Sequence, residues 1–245
     1  MDQSLDPHAG SQHVFNRKYE LCDYLKQNFP TPDQLITSCR DCTTFLCVCC
    51  QHWNHERPLP CHNFRLIFTD GACLSNGTAA ATSGAGIAMG QADRLQFSYP
   101  IDDSIDSTGK RTSQRAELLA AILGLGAAQS VEELADAHER LYNRHKAGED
   151  AGLYSHWIIT TDSKYLVDGM TDWLPNKWKR NGMRASDGRT PANLDLFLRL
   201  DEEITAIEQT HDIRIGFWHV AREFNTIADR LAKDAAKRTL PDPTV

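Results

Sequence analysis

Residues 64–77 have the sequence FRLIFTDGACLSNG. The first part, Phe64 to Phe68, is a largely apolar run rich in branched and aromatic side chains, which predicts a buried strand. The second part contains small residues, Ser, Asn and Gly, which are typical of a turn. Asp70 closes the strand, and an ionised carboxylate there is costly unless a metal, an ion partner or water replaces its lost hydration. The alternative is a solvated aspartate that only begins the turn.

The composition indicates one large domain with an appendage. The chain has 245 residues, of which 41% are hydrophobic and 24% charged, values that are ordinary for a soluble globular protein. No apolar run reaches the length of a membrane span, and the acidic N-terminus lacks the features of a secretory signal or a mitochondrial presequence. We therefore expect an intracellular protein of the nucleus or cytoplasm, away from membranes, with reduced thiols. The net charge of −7 disfavours a protein that coats nucleic acid without specificity.

Residues 1–61 form a cysteine-rich N-terminal region, because six of the eight cysteines lie between Cys39 and Cys61. A short helix is predicted from Tyr19 to Phe29, ended by the prolines that follow. Four residues have spacings similar to those of a zinc knuckle, and tetrahedral zinc accepts their sulfur and nitrogen ligands: Cys39, Cys42, Cys47 and His52. The alternative is that residues 45–50 form a strand with buried thiols. Residues 58–60 then link this region to the main domain.

The segment after Asp70 predicts two more strands and a long helix. The strands cover residues 85–90 and 94–99 and form an antiparallel meander with the first strand. The helix begins at Thr112 or Ser113, either of which can cap it. Glu117 lies at the edge of the apolar stripe of this helix, and its alternative role is to favour the helix dipole. The charged residues 131–149 predict further helix and an insertion.

A second strand ends in the same way as the first. Residues 156–161 are largely apolar and are followed by Asp162 and Ser163, either of which can cap a helix from Lys164 to Leu174. Two strands that end in Thr-Asp and are linked by a helix fit neighbouring parallel strands. Both acids then lie at one edge of the sheet, where the sites of open α/β sheets are found. The alternative for Asp162 is a helix cap with no other role.

The last part of the chain supplies a basic segment and a fourth acid. Residues 176–189 contain five basic residues against one acid, with Trp178 among them. This pattern indicates a phosphate-binding surface, and the alternative is an exposed helix with solvated charges. An amphipathic helix over 194–207, a strand over 213–219 and a helix over 225–236 are then predicted, with Asp229 in the first turn of the last helix. A tail of residues 239–245 ends the chain.

These segments resemble the ribonuclease H family, whose cellular type cleaves RNA in RNA–DNA hybrids. The resemblance covers about Phe64 to Arg238, and its motifs occur in the family's order: Thr69-Asp70-Gly71, Gln114-Arg115-Ala116-Glu117-Leu118, Thr161-Asp162-Ser163 and Ala228-Asp229-Arg230-Leu231-Ala232. It implies an α/β fold with a five-stranded mixed sheet and helices on both faces, in a catalytic domain of residues 62–238. It also implies an active site of Asp70, Glu117, Asp162 and Asp229 as metal ligands, with His219 as a catalytic histidine.

The resemblance further implies a surface for the RNA–DNA hybrid. The 2′-hydroxyl distinguishes RNA from DNA at a contact, and the residues that would contact it are Gly71, Cys73, Ser75, Asn76 and Gln114, with Glu117. The pocket for a DNA-strand phosphate would consist of Lys110, Thr112 and Asn193. The channel along the DNA strand would be lined by Tyr165, Trp173 and Ser186, although core packing is the alternative for the two aromatic residues. The basic protrusion would consist of Lys177, Lys179, Arg180 and Arg184.

Physical chemistry independently favours a metal-dependent hydrolase. Two unit charges about 4 Å apart repel by about 4 kcal/mol at an effective dielectric of about 20, so clustered carboxylates either raise their pKa values or bind cations. Mg²⁺ prefers such oxygen ligands, and two ions, Mg²⁺ or Mn²⁺, can activate water and stabilise a leaving oxygen. Together with the resemblance, this chemistry predicts a monomeric endoribonuclease that cuts the RNA strand of RNA–DNA hybrids, and the resemblance implies 3′-hydroxyl and 5′-phosphate ends.

Two other functions stay open. A non-catalytic module that binds RNA–DNA hybrids or RNA could use the cysteine-rich region for recognition, but it has no use for four converging carboxylates. Another nuclease of the same sheet architecture, such as an exonuclease or an integrase-like enzyme, would not account for the basic segment or for the set Cys73, Ser75 and Asn76. Internal cutting of a hybrid, with duplex DNA and duplex RNA spared, distinguishes the three.

Overall fold

The computed structural model describes residues 12–49, 62–134, 155–211 and 213–238. Its strands are β1 (His13–Phe15), β2 (Lys18–Glu20), β3 (Ile36–Ser38), β4 (Phe45–Cys47), β5 (Phe64–Leu74), β6 (Thr82–Ala88), β7 (Gln96–Ile101), β8 (Ser155–Thr161) and β9 (Ile213–His219). Its α-helices are α1 (Asp23–Asn28), α2 (Pro32–Leu35), α3 (Ser113–Leu134), α4 (Lys164–Asp168), α5 (Leu194–Thr210) and α6 (Thr226–Arg238).

Strands β5 to β9 pair in the order β7-β6-β5-β8-β9, as expected for the predicted mixed sheet, but within the described residues the sheet has nine strands instead of the predicted five. β5, β8 and β9 are parallel, whereas β5, β6 and β7 form the antiparallel meander. The run of apolar side chains in β5 and β8 is typical of parallel strands covered on both faces. The predicted fold class is therefore confirmed.

The two faces of the sheet are covered by different elements, because neighbouring side chains of a strand point to opposite faces. On one face, α3 and α5 pack with Ile67, Ile159 and Ile215 in a large apolar core. On the other face, α6 packs with Leu66 and Phe68 in a second core, to which the N-terminal segment also contributes. The prediction of helices on both faces is therefore confirmed.

The helix after β8 changes its type within the predicted range. α4 continues as a π-helical segment over Gly169–Trp178, which contains Pro175. Proline has no N–H for the helical hydrogen bond, and π-helical turns accommodate such an interruption. The polypeptide therefore stays helical beyond the predicted end at Leu174 and carries Trp178 into the core, where it is buried.

The N-terminal residues 12–49 join the same sheet at both sides. β2 pairs with β9 in parallel at Lys18, and β4 pairs with β5 antiparallel at Leu46. The predicted helix over 19–29 is shorter, because residues 18–20 belong to β2 and α1 begins only at Asp23. The strand proposed as the alternative for residues 45–50 is present as β4, whose side chains are all buried.

Several predictions fall on residues that lie outside the described ones. They concern the linker over 58–60, His52, the insertion beyond residue 134 and the tail over 239–245. The first residues of the predicted insertion continue α3 up to Leu134. Within the described ranges, none of the helices combines the length and the apolar character that crossing a membrane requires.

Candidate active site

Asp70 and Asp162 lie next to each other at the ends of two parallel strands. Phe68 of β5 is paired with Thr160 of β8, and each aspartate follows two residues later. Asn225, which is buried, donates from Nδ2 to Asp162 Oδ1 over 2.8 Å and to the Thr69 carbonyl over 3.0 Å. A single amide thus ties the carboxylate of Asp162 to the strand that carries Asp70. Sequence reasoning missed Asn225, because one polar residue at the start of a helix has no distinguishing pattern.

Glu117 reaches this edge because α3 passes unusually close to β5. A Cβ atom at Gly71 would lie only 2.1 Å from the Glu117 backbone nitrogen and from the Ala116 carbonyl carbon, so only glycine fits there. The helix begins as predicted, since the Thr112 hydroxyl accepts from the Arg115 N–H over 3.3 Å. Ser163 then holds the Glu117 side chain, because its hydroxyl donates to Glu117 Oε2 while it also caps α4.

Asp229 is brought to the same edge by a second close approach. Gly86 of β6 is paired with Asp70, and a Cβ atom at Gly86 would lie 2.1 Å from the Ala228 carbonyl oxygen. Helix α6 therefore lies directly on this strand, with Asp229 in its first turn. The Asp229 carboxylate is paired with Lys233 at 2.7 Å and with Arg222.

The electrostatics of the cluster show that the carboxylates interact. Burial, followed by the negative charges of Asp162, Asp229 and Glu117, raises the pKa of Asp70 to about 7. Burial and the charge of Asp162 raise the pKa of Glu117, against the opposing effect of the Ser163 hydrogen bond. Burial also acts on Asp229, but Lys233 and Arg222 outweigh it and hold the pKa of this group below its ordinary value.

The donor set of this cluster fits divalent cations. It consists of carboxylate oxygens, which Mg²⁺ and Mn²⁺ prefer, and the four groups converge from two strands and two helices that fix their positions. After burial, repulsion by the charges of Asp162, Asp229 and Glu117 contributes to the raised pKa of Asp70. A bound cation would remove that repulsion, since an opposite charge nearby favours the ionised carboxylate.

His219 lies at the C-terminal end of β9 and is exposed. It is paired with Thr161, the residue before Asp162, and the next N–H along the chain, that of Val220, donates to the Thr161 carbonyl over 3.0 Å. The histidine is therefore on the same edge of the sheet as the carboxylates. Its catalytic role stays a prediction.

The predicted 2′-hydroxyl contacts follow Asp70 along the chain. Gly71 and Cys73 lie on the last part of β5, while Ser75 and Asn76 are exposed in the turn after it. Ser75 has a left-handed backbone, with φ of 52°, and its carbonyl accepts from the Thr78 hydroxyl over 2.8 Å. Gln114 is exposed in the first turn of α3. These residues thus lie near one end of β5 and on the helix that packs against it.

The predicted phosphate pocket is organised by Arg115, which the sequence reasoning did not single out. Its buried guanidinium forms paired hydrogen bonds with Asp106, at 2.8 and 2.9 Å, and with Asp195, at 2.9 and 3.1 Å. It also donates to Asn193 Oδ1 over 3.4 Å. Arg115 therefore joins the helix start that contains Thr112 to Asn193, while Lys110 is exposed just before it.

The two aromatic residues of the predicted DNA channel are half-buried. Tyr165 and Trp173 meet edge to face, with ring centroids 5.6 Å apart, and both pack against the large core. The Tyr165 hydroxyl accepts from Asn193 Nδ2 over 3.2 Å, which connects the channel to the phosphate pocket. Core packing thus accounts for part of their role. The third predicted channel residue, Ser186, is exposed.

The basic protrusion is partly neutralised within the chain. Lys177 pairs with Asp172 and Lys179 with Asp201, each at 2.6 Å. Arg184 donates to the Gly188 carbonyl over 2.9 Å, and Arg180 is exposed. Such exposed pairs contribute little to stability, so a phosphate can replace their carboxylates.

The predicted zinc ligands are only partly brought together. Cys39 and Cys42 converge, and they meet His62, which the sequence reasoning did not include. Cys47 was wrongly assigned to this group: its side chain is buried from β4, where Gln12 Nε2 lies 3.6 Å from its sulfur. His52 lies outside the described residues.

Comparison with known proteins shows the family to which the chain belongs. The family model RNase H matches residues 63–237. Ribonuclease H1 of Mus musculus is 29% identical over 180 residues, which are 71% of this chain and 50% of that protein. Ribonuclease H of Pseudoalteromonas atlantica is 32% identical over 181 residues, 72% of this chain and 94% of that one.

The chain thus spans about half the length of the mouse relative. The crystal structure of LC11-RNase H1 in complex with RNA/DNA hybrid aligns with a TM-score of 0.43 and 19% identity, over 72% of this chain and 99% of that chain. The family match covers most of the chain and contains all four carboxylates. The chain belongs to the ribonuclease H family.

Proposed function

We propose that this protein hydrolyses the RNA strand of RNA–DNA hybrids at internal positions. The observation that carries the proposal is the convergence of Asp70, Glu117, Asp162 and Asp229 at one edge of the sheet, with the pKa of Asp70 raised to about 7. A protein that only binds nucleic acid gains nothing from four clustered negative charges beside its phosphate-binding surface. The names of its relatives, Ribonuclease H1 and Ribonuclease H, support the same reaction.

Two Mg²⁺ ions, or Mn²⁺, are the cofactors of this proposal. Asp70, Glu117, Asp162 and Asp229 would hold these ions through their carboxylate oxygens. When bound, two such ions supply a water nucleophile at neutral pH and stabilise the charge on a leaving oxygen. Ser163 and Asn225 position the carboxylates for this role through their hydrogen bonds to Glu117 and Asp162.

The bond that breaks is proposed to be the one between phosphorus and the 3′ oxygen of the RNA strand. Water adds to phosphorus, so that the products carry a 3′-hydroxyl and a 5′-phosphate. His219, exposed at the end of β9, would carry a proton between the site and solvent, since an imidazole can both accept and donate one.

Recognition of the hybrid is divided between two sides of the site. On the RNA side, Gly71, Cys73, Ser75, Asn76 and Gln114 would contact 2′-hydroxyls, the groups that distinguish RNA from DNA. On the DNA side, a phosphate would sit between Thr112, Lys110 and Asn193. The basic protrusion would add contacts to the phosphate backbone, which give affinity without reading sequence.

The test is cleavage of an end-labelled RNA–DNA hybrid in Mg²⁺ by the wild type, by Asp70→Asn and by the control Asp234→Asn. Asp234 is an exposed acid of α6 that pairs with Lys237 at 3.2 Å. We expect internal cuts in the RNA strand from the wild type and from Asp234→Asn, and none from Asp70→Asn. A wild type that binds the hybrid but leaves it intact in both Mg²⁺ and Mn²⁺ would be a binding module instead.

A further inference from the structure

Two cysteines and one histidine meet where β5 begins, far from the carboxylates. The ligand atoms of Cys39, Cys42 and His62 all lie within 4.8 Å of one another, and Cys42 Sγ is 3.2 Å from His62 Nε2. Cys39 and His62 are almost fully buried and Cys42 is half-buried. Both cysteines are free thiols. The cluster thus combines soft sulfur and nitrogen donors at one protected point.

The backbone holds the two cysteines in place. They lie in the loop between β3 and β4, which is closed by hydrogen bonds from Cys39 N to the Thr44 carbonyl and from Thr43 N to the Cys39 carbonyl, each 2.9 Å long. Thr43 has a left-handed backbone, with φ of 63°, which is rare for a β-branched residue. The turn closed by the Thr43 N–H brings Cys42 back towards Cys39, and the left-handed Thr43 then directs the chain into β4.

The loop is also fastened to the catalytic sheet. The Gln91 N–H donates to the Thr43 carbonyl over 3.0 Å, and Arg94 Nη2 donates to the Cys42 carbonyl over 3.0 Å. His62 comes from the opposite direction, two residues before Phe64 begins β5. The three side chains therefore belong to two segments that are held together independently of their own contact.

We propose that Cys39, Cys42 and His62 bind a Zn²⁺ ion that fastens the β3–β4 loop to the first strand of the catalytic sheet. Two thiolates and an imidazole are ligands that zinc accepts in tetrahedral sites, whereas Mg²⁺ and Ca²⁺ require oxygen ligands. The ion displaces the thiol protons when it binds. The Thr44 hydroxyl, 3.3 Å from Cys42 Sγ, is placed to donate to the resulting thiolate, a contact of the kind that strengthens metal sites.

The role of this ion is structural. Phe64, where β5 begins, precedes Asp70 by six residues, and at about 3.3 Å per strand residue these two ends lie about 20 Å apart, with His62 in the turn before Phe64. The ion therefore cannot touch a substrate held by the carboxylates. The ion joins His62 to Cys42, which is 20 positions earlier in the sequence. A link over this separation restricts the unfolded chain more than a link between near neighbours does.

The test is the zinc content of the full chain, measured by mass spectrometry of the metal after desalting under reducing conditions. The variants are Cys42→Ser and His62→Asn, which remove a ligand, and His62→Cys, which replaces one zinc ligand by another. Cys22→Ser is the matched control, because Cys22 is a buried cysteine of the second core. Circular dichroism of each variant checks that it has folded.

We expect about one zinc ion per chain in the wild type, in His62→Cys and in Cys22→Ser, and at least about a tenfold loss in Cys42→Ser and His62→Asn. A zinc chelator, with Mg²⁺ in excess, should lower the melting temperature of the wild type by about 5 °C or more. This second measurement does not depend on whether the variants fold. Zinc retained in Cys42→Ser and His62→Asn, a metal-free wild type, or a disulfide between Cys39 and Cys42 would each overturn the proposal.

Discussion

Replacing Gly71 by alanine tests whether the close approach of α3 to β5 builds the active site. The added Cβ would lie 2.1 Å from the Glu117 backbone nitrogen, whereas ordinary contacts begin at 3.4 Å, so the helix must retreat by about 1.3 Å. Overpacking of this kind costs about 1–3 kcal/mol of stability. A misplacement of about 1 Å in a catalytic group can reduce the rate by about 100-fold. We therefore expect Gly71→Ala to lose about two orders of magnitude in kcat.

The assay is steady-state cleavage of a labelled hybrid, together with thermal unfolding. Each kcal/mol of destabilisation corresponds to about 2–4 °C in Tm for a chain of this size. Gly126→Ala is the matched control: it lies in the same helix, is exposed, and its added Cβ meets none of the described atoms beyond the helix itself within 4 Å. This control should gain about 0.5–1 kcal/mol from helix propensity and keep its kcat.

The reasoning would be refuted if Gly71→Ala kept its kcat within about threefold of the wild type and also its melting temperature. Glu117 would then reach the site without the contact between the two backbones. A fall in Tm with unchanged kcat would also refute the reasoning, because helix α3 would then have moved without displacing the Glu117 carboxylate.

Three further outcomes follow from the same geometry. In the folded protein the pKa of Asp70 is about 7, against an ordinary value of 3.8, so the folded state binds this proton more tightly than the unfolded state does. The free energy of unfolding of the metal-free protein should therefore decrease by up to about 4 kcal/mol as the pH rises between these two values. Asp70→Asn should thus melt higher than the wild type at pH 8 in a chelator, and equal melting curves would contradict the raised pKa. Asn225→Ala loses its bonds to Asp162 and Thr69 and should lower kcat about 10–100-fold without changing KM, whereas a change confined to KM would indicate a substrate contact. Arg115→Leu removes the guanidinium that contacts the buried Asp106 at 2.8 Å and leaves only Arg111 at 3.9 Å. It should cost about 3–5 kcal/mol in urea unfolding, part of which Asp106→Asn should restore if the weakened pairing of Asp106 is the cause.

The strand ends could be predicted from the sequence because they depend on local pattern. A buried strand followed by Thr-Asp occurs twice, and parallel pairing necessarily brings the two acids to one edge. Glu117 was placed correctly on the helix edge, but the contact that brings it to Asp70 depends on Gly71 meeting α3. That contact joins residues far apart in the chain, so no window of sequence contains it.

The residues that could not be identified from the sequence make contacts with residues far away along the chain. Arg115 contacts Asp195, which is 80 positions later, and within its own helix it looks like a surface arginine. The zinc prediction failed at Cys47 for a related reason: spacing counts residues, but the alternation of side chains along β4 decides which way a thiol points. Cys47 consequently faces the core, while His62 approaches from the turn before β5.

The second core explains why the N-terminal segment is more than an appendage. Leu66 and Phe68 of β5 are almost fully buried against a face to which Leu25 and Leu35 contribute, and both leucines precede the family match, which begins at residue 63. Each such apolar side chain contributes about 1.5–3 kcal/mol when fully buried, and a domain is stable by only about 5–15 kcal/mol. Loss of the packing by Leu25 and Leu35 would therefore remove a large fraction of the free energy of unfolding that keeps β5, and Asp70 within it, folded. Any recognition of substrate by the N-terminal segment must then use the surface that this packing leaves exposed.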